Sequence, residues 1–183
     1  MRIIAGIYRG TRLASLGKGD AGAHLRPTPD RVRESLFSML THVDVLEGAR
    51  VLDLFAGTGA LGLEALSRGS KEVCFVEKGR TGQRLIQENI AKLQVDQQTM
   101  LLRTDATRLP PRSGPPFDLV FLDPPYGRAL GQKALEACRA GGWLAPQATI
   151  IWEENAPMDA LEGFEGIDTR RYGDTTVTLL KTS

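Results

Sequence analysis

Val51-Leu52-Asp53-Leu54-Phe55-Ala56-Gly57-Thr58-Gly59-Ala60-Leu61-Gly62 begins as a short apolar run, turns through closely spaced glycines and enters a helical segment. The apolar run predicts a strand covered on both faces. The glycines let the backbone turn tightly and approach a ligand, and the helix that follows offers N–H groups without intrahelical partners at the same point. Outward from this unit the pattern repeats. Residues 72–76, 100–103, 117–122 and 149–152 read as further short strands, while Arg80–Leu93 sets Leu85, Ile86, Ile90 and Leu93 on one helical face. Such alternation predicts an α/β fold with a doubly wound, mostly parallel sheet. Residues 166–171 and 175–180, joined by Tyr172-Gly173-Asp174, read as a C-terminal antiparallel hairpin.

A chain of 183 residues with 42% hydrophobic composition suits one packed domain and is short for two. Residues 1–25 read as a basic β extension followed by a flexible glycine-rich loop, an appendage to a main domain over 26–183. Thr28-Pro29 opens a helix, with Thr28 as N-cap, Pro29 at the first helical position and Val32, Leu36, Leu40 and Val43 on its apolar face. Cys74 and Cys138 lack the spacing of a metal or redox pair and predict reduced thiols in a cytoplasmic protein. No stretch approaches the ~20 apolar residues of a membrane span, and no leader is expected at Met1. The net charge of +1 conceals an asymmetry: residues 1–33 carry seven bases against two acids, and the rest sixteen against twenty. A basic cluster of this kind fits phosphate contacts or a solvated tail.

Acidic residues follow the strands in a regular way. Asp53 ends the first, Glu77 follows the second and Asp105 the third, so a doubly wound sheet brings all three to the edge where ligands bind. Gly57, Gly59 and Gly62 also satisfy the dinucleotide fingerprint G-x-G-x-x-G, which leaves a nicotinamide dehydrogenase as an alternative. The acids favour S-adenosylmethionine, whose ammonium, sulfonium, ribose diol and adenine amine all seek acceptors or negative charge. Asp53 is assigned to the methionine end, Glu77 to the ribose hydroxyls and Asp105 to the adenine amine. Phe55, Gly57, Thr58, Gly59, Lys78, Ala106 and Asp123 complete the expected cofactor set. Helix caps and loop carboxylates are the plainer account of the same acids.

After the fourth strand comes Asp123-Pro124-Pro125-Tyr126-Gly127. Pro-Pro in a loop is ordinarily a rigid turn. It also suits methylation of an exocyclic base nitrogen, whose lone pair is delocalised into the ring and must be oriented. Asp123 and the Pro124 carbonyl can accept the two amine protons, and Pro125 restricts Pro124 to extended geometry, which fixes that carbonyl's direction. Tyr126 can stack on the base. Positioning carries the step, and no metal is expected.

With these residues in place, the chain resembles the Rossmann-like methyltransferases, and more closely the RsmD family of bacterial 16S ribosomal RNA guanine-N2 methyltransferases. The likeness runs through Arg2-Ile3-Ile4-Ala5-Gly6, Arg9-Gly10-Thr11-Arg12-Leu13, Arg26-Pro27-Thr28-Pro29-Asp30-Arg31-Val32-Arg33-Glu34, the glycine loop, Asp123 to Gly127 and Tyr172-Gly173-Asp174-Thr175. The resemblance implies a 30S particle or assembly intermediate as partner, RNA contacts by Arg2, Arg9, Arg12, Arg26 and Arg31, a cofactor pocket bordered by residues 28–33, and a monomer. Asp-Pro-Pro-Tyr is also shared by adenine-N6 methyltransferases, so it specifies amino-nitrogen chemistry without choosing the base. A glutamine methyltransferase would carry Asn at position 123. A non-catalytic RNA-binding assembly factor is the remaining alternative.

Overall fold

The structure is a computed structural model that describes residues 1–17 and 25–183. The glycine-rich loop expected to be flexible lies, apart from its first residues, outside the described part. Helix α1 spans Asp30–His42, followed by β1 Arg50–Leu54, α2 Ala60–Ser67, β2 Glu72–Val76, α3 Arg80–Leu93 and β3 Thr99–Leu102. Then come β4 Phe117–Leu122, α4 Leu130–Ala140, β5 Leu144–Glu154, β6 Phe164–Tyr172 and β7 Thr175–Thr182.

Seven strands form one sheet in the order β3-β2-β1-β4-β5-β7-β6. The first five are parallel, and β7 runs antiparallel to both β5 and β6. The chain leaves β1 in one direction to build β2 and β3, then returns to build β4 and β5 on the other side. The carboxyl ends of β1 and β4 therefore flank the switch point, where an open α/β sheet leaves a crevice. Leu54 pairs with Leu122, so Phe55 and Asp123 emerge side by side at that crevice.

Strand residues alternate between two cores. Val51, Phe75 and Phe121 pack with Leu36, Phe37 and Leu40 of α1 and with residues of α2 and α3, the Phe37 and Phe121 rings lying 5.5 Å apart. Leu52, Leu54, Val120 and Trp152 pack with Ala134, Leu135 and Cys138 of α4. Both cysteines are buried and free, and burial pushes each thiol up to about 12.

Three expectations change. Pro29, not Thr28, is the N-cap of α1, because the Thr28 hydroxyl donates instead to Glu153 Oε2 at 3.3 Å. The apolar face of α1 is Leu36, Phe37, Met39 and Leu40, with Val43 half-exposed beyond the helix end. The N-terminal segment is no mere appendage: Ile3 and Leu13 are inserted in the α1–α3 core, and the only β character among its described residues is a single antiparallel bridge between Arg2 and Arg12. Glu64 of α2 anchors it, its carboxylate accepting from Ile4 N at 2.8 Å and Ala5 N at 3.1 Å, together with Ser67, whose hydroxyl accepts from Tyr8 N, and Asn89, whose Oδ1 accepts from Ala14 N. Gly6 then passes so close to α2 that a Cβ would lie 1.7 Å from the Ser67 carbonyl oxygen, and its φ is +86°.

Candidate active site

A cavity of about 300 Å³ opens at the carboxyl ends of β1, β2 and β4 and is walled on its far side by Met1 and residues 25–28. Five of the expected cofactor residues form its floor: Asp53, Phe55, Gly57, Thr58 and Glu77. Phe55 takes a left-handed φ of +57°, an unusual conformation for a bulky residue, where β1 hands over to the glycine loop. Gly57 and Gly59 also have positive φ, and Gly59 caps α2. Gly59 does not line the cavity; the space its Cβ would take is next to Phe75 and Ile86. Gly62 serves packing, since a Cβ there would meet Phe75 at 2.6 Å and Val73 at 2.7 Å. It also donates its N–H to Asp53 Oδ2 at 3.0 Å.

The acids are held differently. Glu77 is buried, its Oε2 accepting from Gly57 N at 2.8 Å and its Oε1 from Gly79 N at 2.7 Å. These bonds fix the carboxylate, and each oxygen keeps a lone pair directed elsewhere. Burial raises Asp53 well above the usual carboxylate range, the Gly62 N–H opposing the shift and the Glu77 and Glu153 charges adding to it. Asp105 stands at the rim, where Thr104 and Ala106 line the cavity and Asp105 itself does not. It caps the short turn Ala106–Arg108 through Thr107 N and Oγ1, and lies 3.5 Å from Lys78, a residue of the cavity wall. Slight burial notwithstanding, those bonds and Lys78 hold Asp105 below its ordinary range.

Asp123 and Tyr126 stand between this cavity and a second of about 220 Å³, while Pro124 and Pro125 line the first alone. Asp123 and Tyr126 face both, as do Arg26 and Thr28. The loop is tied down by Gly127 N donating to Glu154 Oε1 at 2.9 Å and by a 3.4 Å contact between the Tyr126 and Thr175 hydroxyls. The Arg26 guanidinium lies 5.1 Å from the Tyr126 ring centroid. Burial raises Asp123 well above the carboxylate range, the Glu153 and Asp53 charges reinforcing the effect and Arg26 opposing it.

Glu153 belongs to this site and was not among the sequence candidates. It is buried near the end of β5, Oε2 bound to Thr28 and Oε1 without a hydrogen-bond partner among the described residues, and burial pushes it up to about 7. The signal was available: an acid directly after the apolar run Ile150-Ile151-Trp152 obeys the same rule that picks out Asp53 and Asp123.

The five arginines expected on RNA are spread. Arg26 lines both cavities, and Arg9, Arg12 and Arg31 are exposed. Arg2 is largely exposed and 3.6 Å from Asp30. Arg33, counted in the same basic stretch, is fully buried and donates to Asp30 Oδ1 and the Arg2 carbonyl. Its charge is internal to the fold.

Sheet order, switch-point cavity and Asp-Pro-Pro-Tyr wall together define a Rossmann-like methyltransferase fold. A family model described as Conserved hypothetical protein 95 matches residues 1–181, and the chain belongs to that family, the RsmD family. It is 38% identical over 156 residues to Ribosomal RNA small subunit methyltransferase D of Haemophilus influenzae, covering 84% of this chain and 78% of that protein. To the protein of the same name in Escherichia coli K12 it is 39% identical over 153 residues, covering 84% and 74%. Among solved structures, yhhF from Escherichia coli is 34% identical with a TM-score of 0.84, covering 100% of this chain and 97% of that one. Among the described residues no helix is long and apolar enough to cross a membrane.

Proposed function

We propose that the protein transfers a methyl group from S-adenosylmethionine to the exocyclic N2 of a guanine in 16S ribosomal RNA, acting as a monomer on the small subunit or its assembly intermediate. The observation that carries this reading is the shared wall. Asp123 and Tyr126, the two ends of the Asp-Pro-Pro-Tyr motif, stand between an acid-floored cavity and a second cavity with an aromatic ring and a guanidinium. The relatives from Haemophilus influenzae and Escherichia coli K12 are methyltransferases of ribosomal RNA by name, which supports RNA as the substrate class.

The donor set suits the proposed cofactor. Asp53 takes the methionine end, Glu77 the ribose hydroxyls through its free lone pairs, and Asp105 with Lys78 and Ala106 the adenine rim. When bound, S-adenosylmethionine supplies a methyl group already activated by its positive sulfur. The protein's part is positional: Asp123 and the Pro124 carbonyl accept the amine protons and aim the nitrogen lone pair, while Tyr126 stacks on an unstacked base. The N–C bond forms as the C–S bond breaks, and the proton released from nitrogen passes to an acceptor such as Asp123.

The direct test supplies labelled S-adenosylmethionine to unmodified 30S particles, free 16S RNA, DNA and protein, then locates the labelled atom. Label on guanine N2 of the RNA supports the proposal; label on adenine N6, on DNA or on protein defeats it. Two variants probe its parts. Glu77→Ala is expected to raise the cofactor dissociation constant by about 10²-fold, the loss of two charge-assisted hydrogen bonds, with a smaller change in turnover at saturation. A larger fall in turnover than in affinity would remove Glu77 from the ribose. Replacing Arg9 and Arg12 by Ala is expected to lower the slope of log affinity against log salt by about 0.7–0.9 per lost phosphate contact. An unchanged slope would make the basic segment a solvated tail.

A further inference from the structure

Glu153 and Asp123 emerge at the same level of the sheet. Leu122 pairs with Trp152 in the parallel β4–β5 register, so the two acids are the next residues on neighbouring strands. Both line the 220 Å³ cavity together with Arg26, Tyr126, Tyr172 and Asp174. Glu153 is 2% exposed, and its Oε1 has no hydrogen-bond partner among the described residues. A buried carboxylate oxygen left unpaired is costly, so a fold that keeps one beside a reaction centre has a use for it or a visitor that satisfies it. The Thr28 hydroxyl on Oε2 holds the side chain in place.

We infer that Glu153 is the group that selects guanine: its carboxylate accepts the N1–H of the target base while Asp123 and the Pro124 carbonyl accept the adjacent N2 amine. The inference rests on the guanine-N2 reading above and supplies what Asp-Pro-Pro-Tyr does not, the choice of base. Guanine presents N1–H and N2–H₂ as neighbouring donors on its Watson–Crick edge. Two register-neighbour carboxylates in one cavity complement that pair. Adenine places a bare acceptor at N1, which would face the carboxylate lone pair to lone pair. A site built around a buried acceptor rejects a ligand lacking the donor far more strongly than a merely apolar pocket rejects a wrong shape.

The test, run at a pH above 7 so that Glu153 is ionised, replaces the methylated guanine in 16S RNA, assembled into 30S particles, with 2,6-diaminopurine or with 6-thioguanine. The first keeps the N2 amine but has no N1–H; the second keeps both and changes only the atom at position 6. The wild-type protein is expected to use 6-thioguanine within about tenfold of guanine and to lose at least about 10²-fold in kcat/KM on diaminopurine. Glu153→Gln, whose amide can both donate and accept, is expected to narrow the guanine-to-diaminopurine ratio by tenfold or more. Its retained binding of S-adenosylhomocysteine reports an intact fold, and the wild-type ratios stand without it. Equal use of guanine and diaminopurine by the wild type overturns the inference, as does a Glu153→Gln protein that binds S-adenosylhomocysteine and keeps the wild-type ratio. In both cases guanine methylation, and with it the proposed function, survives. If the wild type labels no guanine in any RNA, the function falls and this inference falls with it.

Discussion

Replacing Asp123 with Ala is expected to lower the rate of methyl transfer to RNA by about 10²–10⁴-fold while the dissociation constant for S-adenosylhomocysteine changes only a few-fold. The amine of a nucleobase has little free nucleophilicity, because its lone pair is spread into the ring. An acceptor on its protons helps most when nitrogen gains positive character, so the interaction strengthens toward the transition state, where it lowers the barrier instead of merely tightening binding. In the proposed role Asp123 makes that contact, backed by a loop that Gly127 and Tyr126 tie to Glu154 and Thr175. The acids on the cofactor side, Asp53 and Glu77, are held by backbone N–H groups of the glycine loop and of Gly79, independently of Asp123. Removing Asp123 therefore leaves that floor standing. Asp123→Asn, which keeps one acceptor oxygen and drops the charge, is expected to fall between wild type and Ala. Loss of S-adenosylhomocysteine binding in parallel with activity would mean that Asp123 holds the cofactor rather than the base, and would end the proposed role.

The parts legible in the sequence are those whose signal is local. Strands β2 and β4 and helix α3 coincide with their apolar runs and helical spacing, and β1 and β3 are displaced by one residue at each end from the apolar runs 51–55 and 100–103. The apolar run 149–152 predicts four residues for β5, which has eleven, because its first half is not a plain apolar run. It contains Pro146 and a left-handed Gln147, and its register against β4 shifts between Phe117 and Leu119. The apolar run ends at Trp152, one residue before Glu153, and so does not mark that residue of the candidate site. The rest of the candidate site was visible because a doubly wound sheet sends every parallel strand's carboxyl end to one edge. An acid following each strand could be placed without knowing any contact. Side-chain partners were another matter. A Thr before a Pro reads as a cap, and only the neighbouring strand's Glu153 explains why Thr28 turns elsewhere. Asp105 shows the same limit, a cap and a cavity-rim acid being identical in sequence.

Glu64→Ala is expected to destabilise the protein by about 3–5 kcal/mol, a large part of the ~5–15 kcal/mol that holds a domain of this size together. In sequence Glu64 is a single charge inside an apolar helix, which ordinarily points to solvent. Here every residue of α2 is buried, Glu64 is fully so, and its carboxylate meets four groups. It accepts from Ile4 N, Ala5 N and Arg68 Nε, and lies 3.6 Å from Nη1 of the fully buried Arg33. Alanine would orphan two backbone donors and leave a buried guanidinium to Asp30 and a carbonyl, the circumstance in which breaking a buried pair costs most. Glu64→Gln keeps an acceptor for the backbone and loses only charge, so a smaller cost is expected. Urea unfolding of both variants gives the magnitudes, and amide exchange at Ile4 and Ala5 locates the loss. Because Met1 forms part of the wall of the proposed cofactor cavity, releasing the segment should also weaken S-adenosylhomocysteine binding, although Glu64 does not line that cavity. A cost below about 1 kcal/mol with Ile4 and Ala5 still protected would show that Ile3, Leu13 and the hydrogen bonds with Ser67 and Asn89 hold the segment without it. Glu64 would then be a passenger in the helix rather than the clamp joining the basic N-terminus to the catalytic sheet.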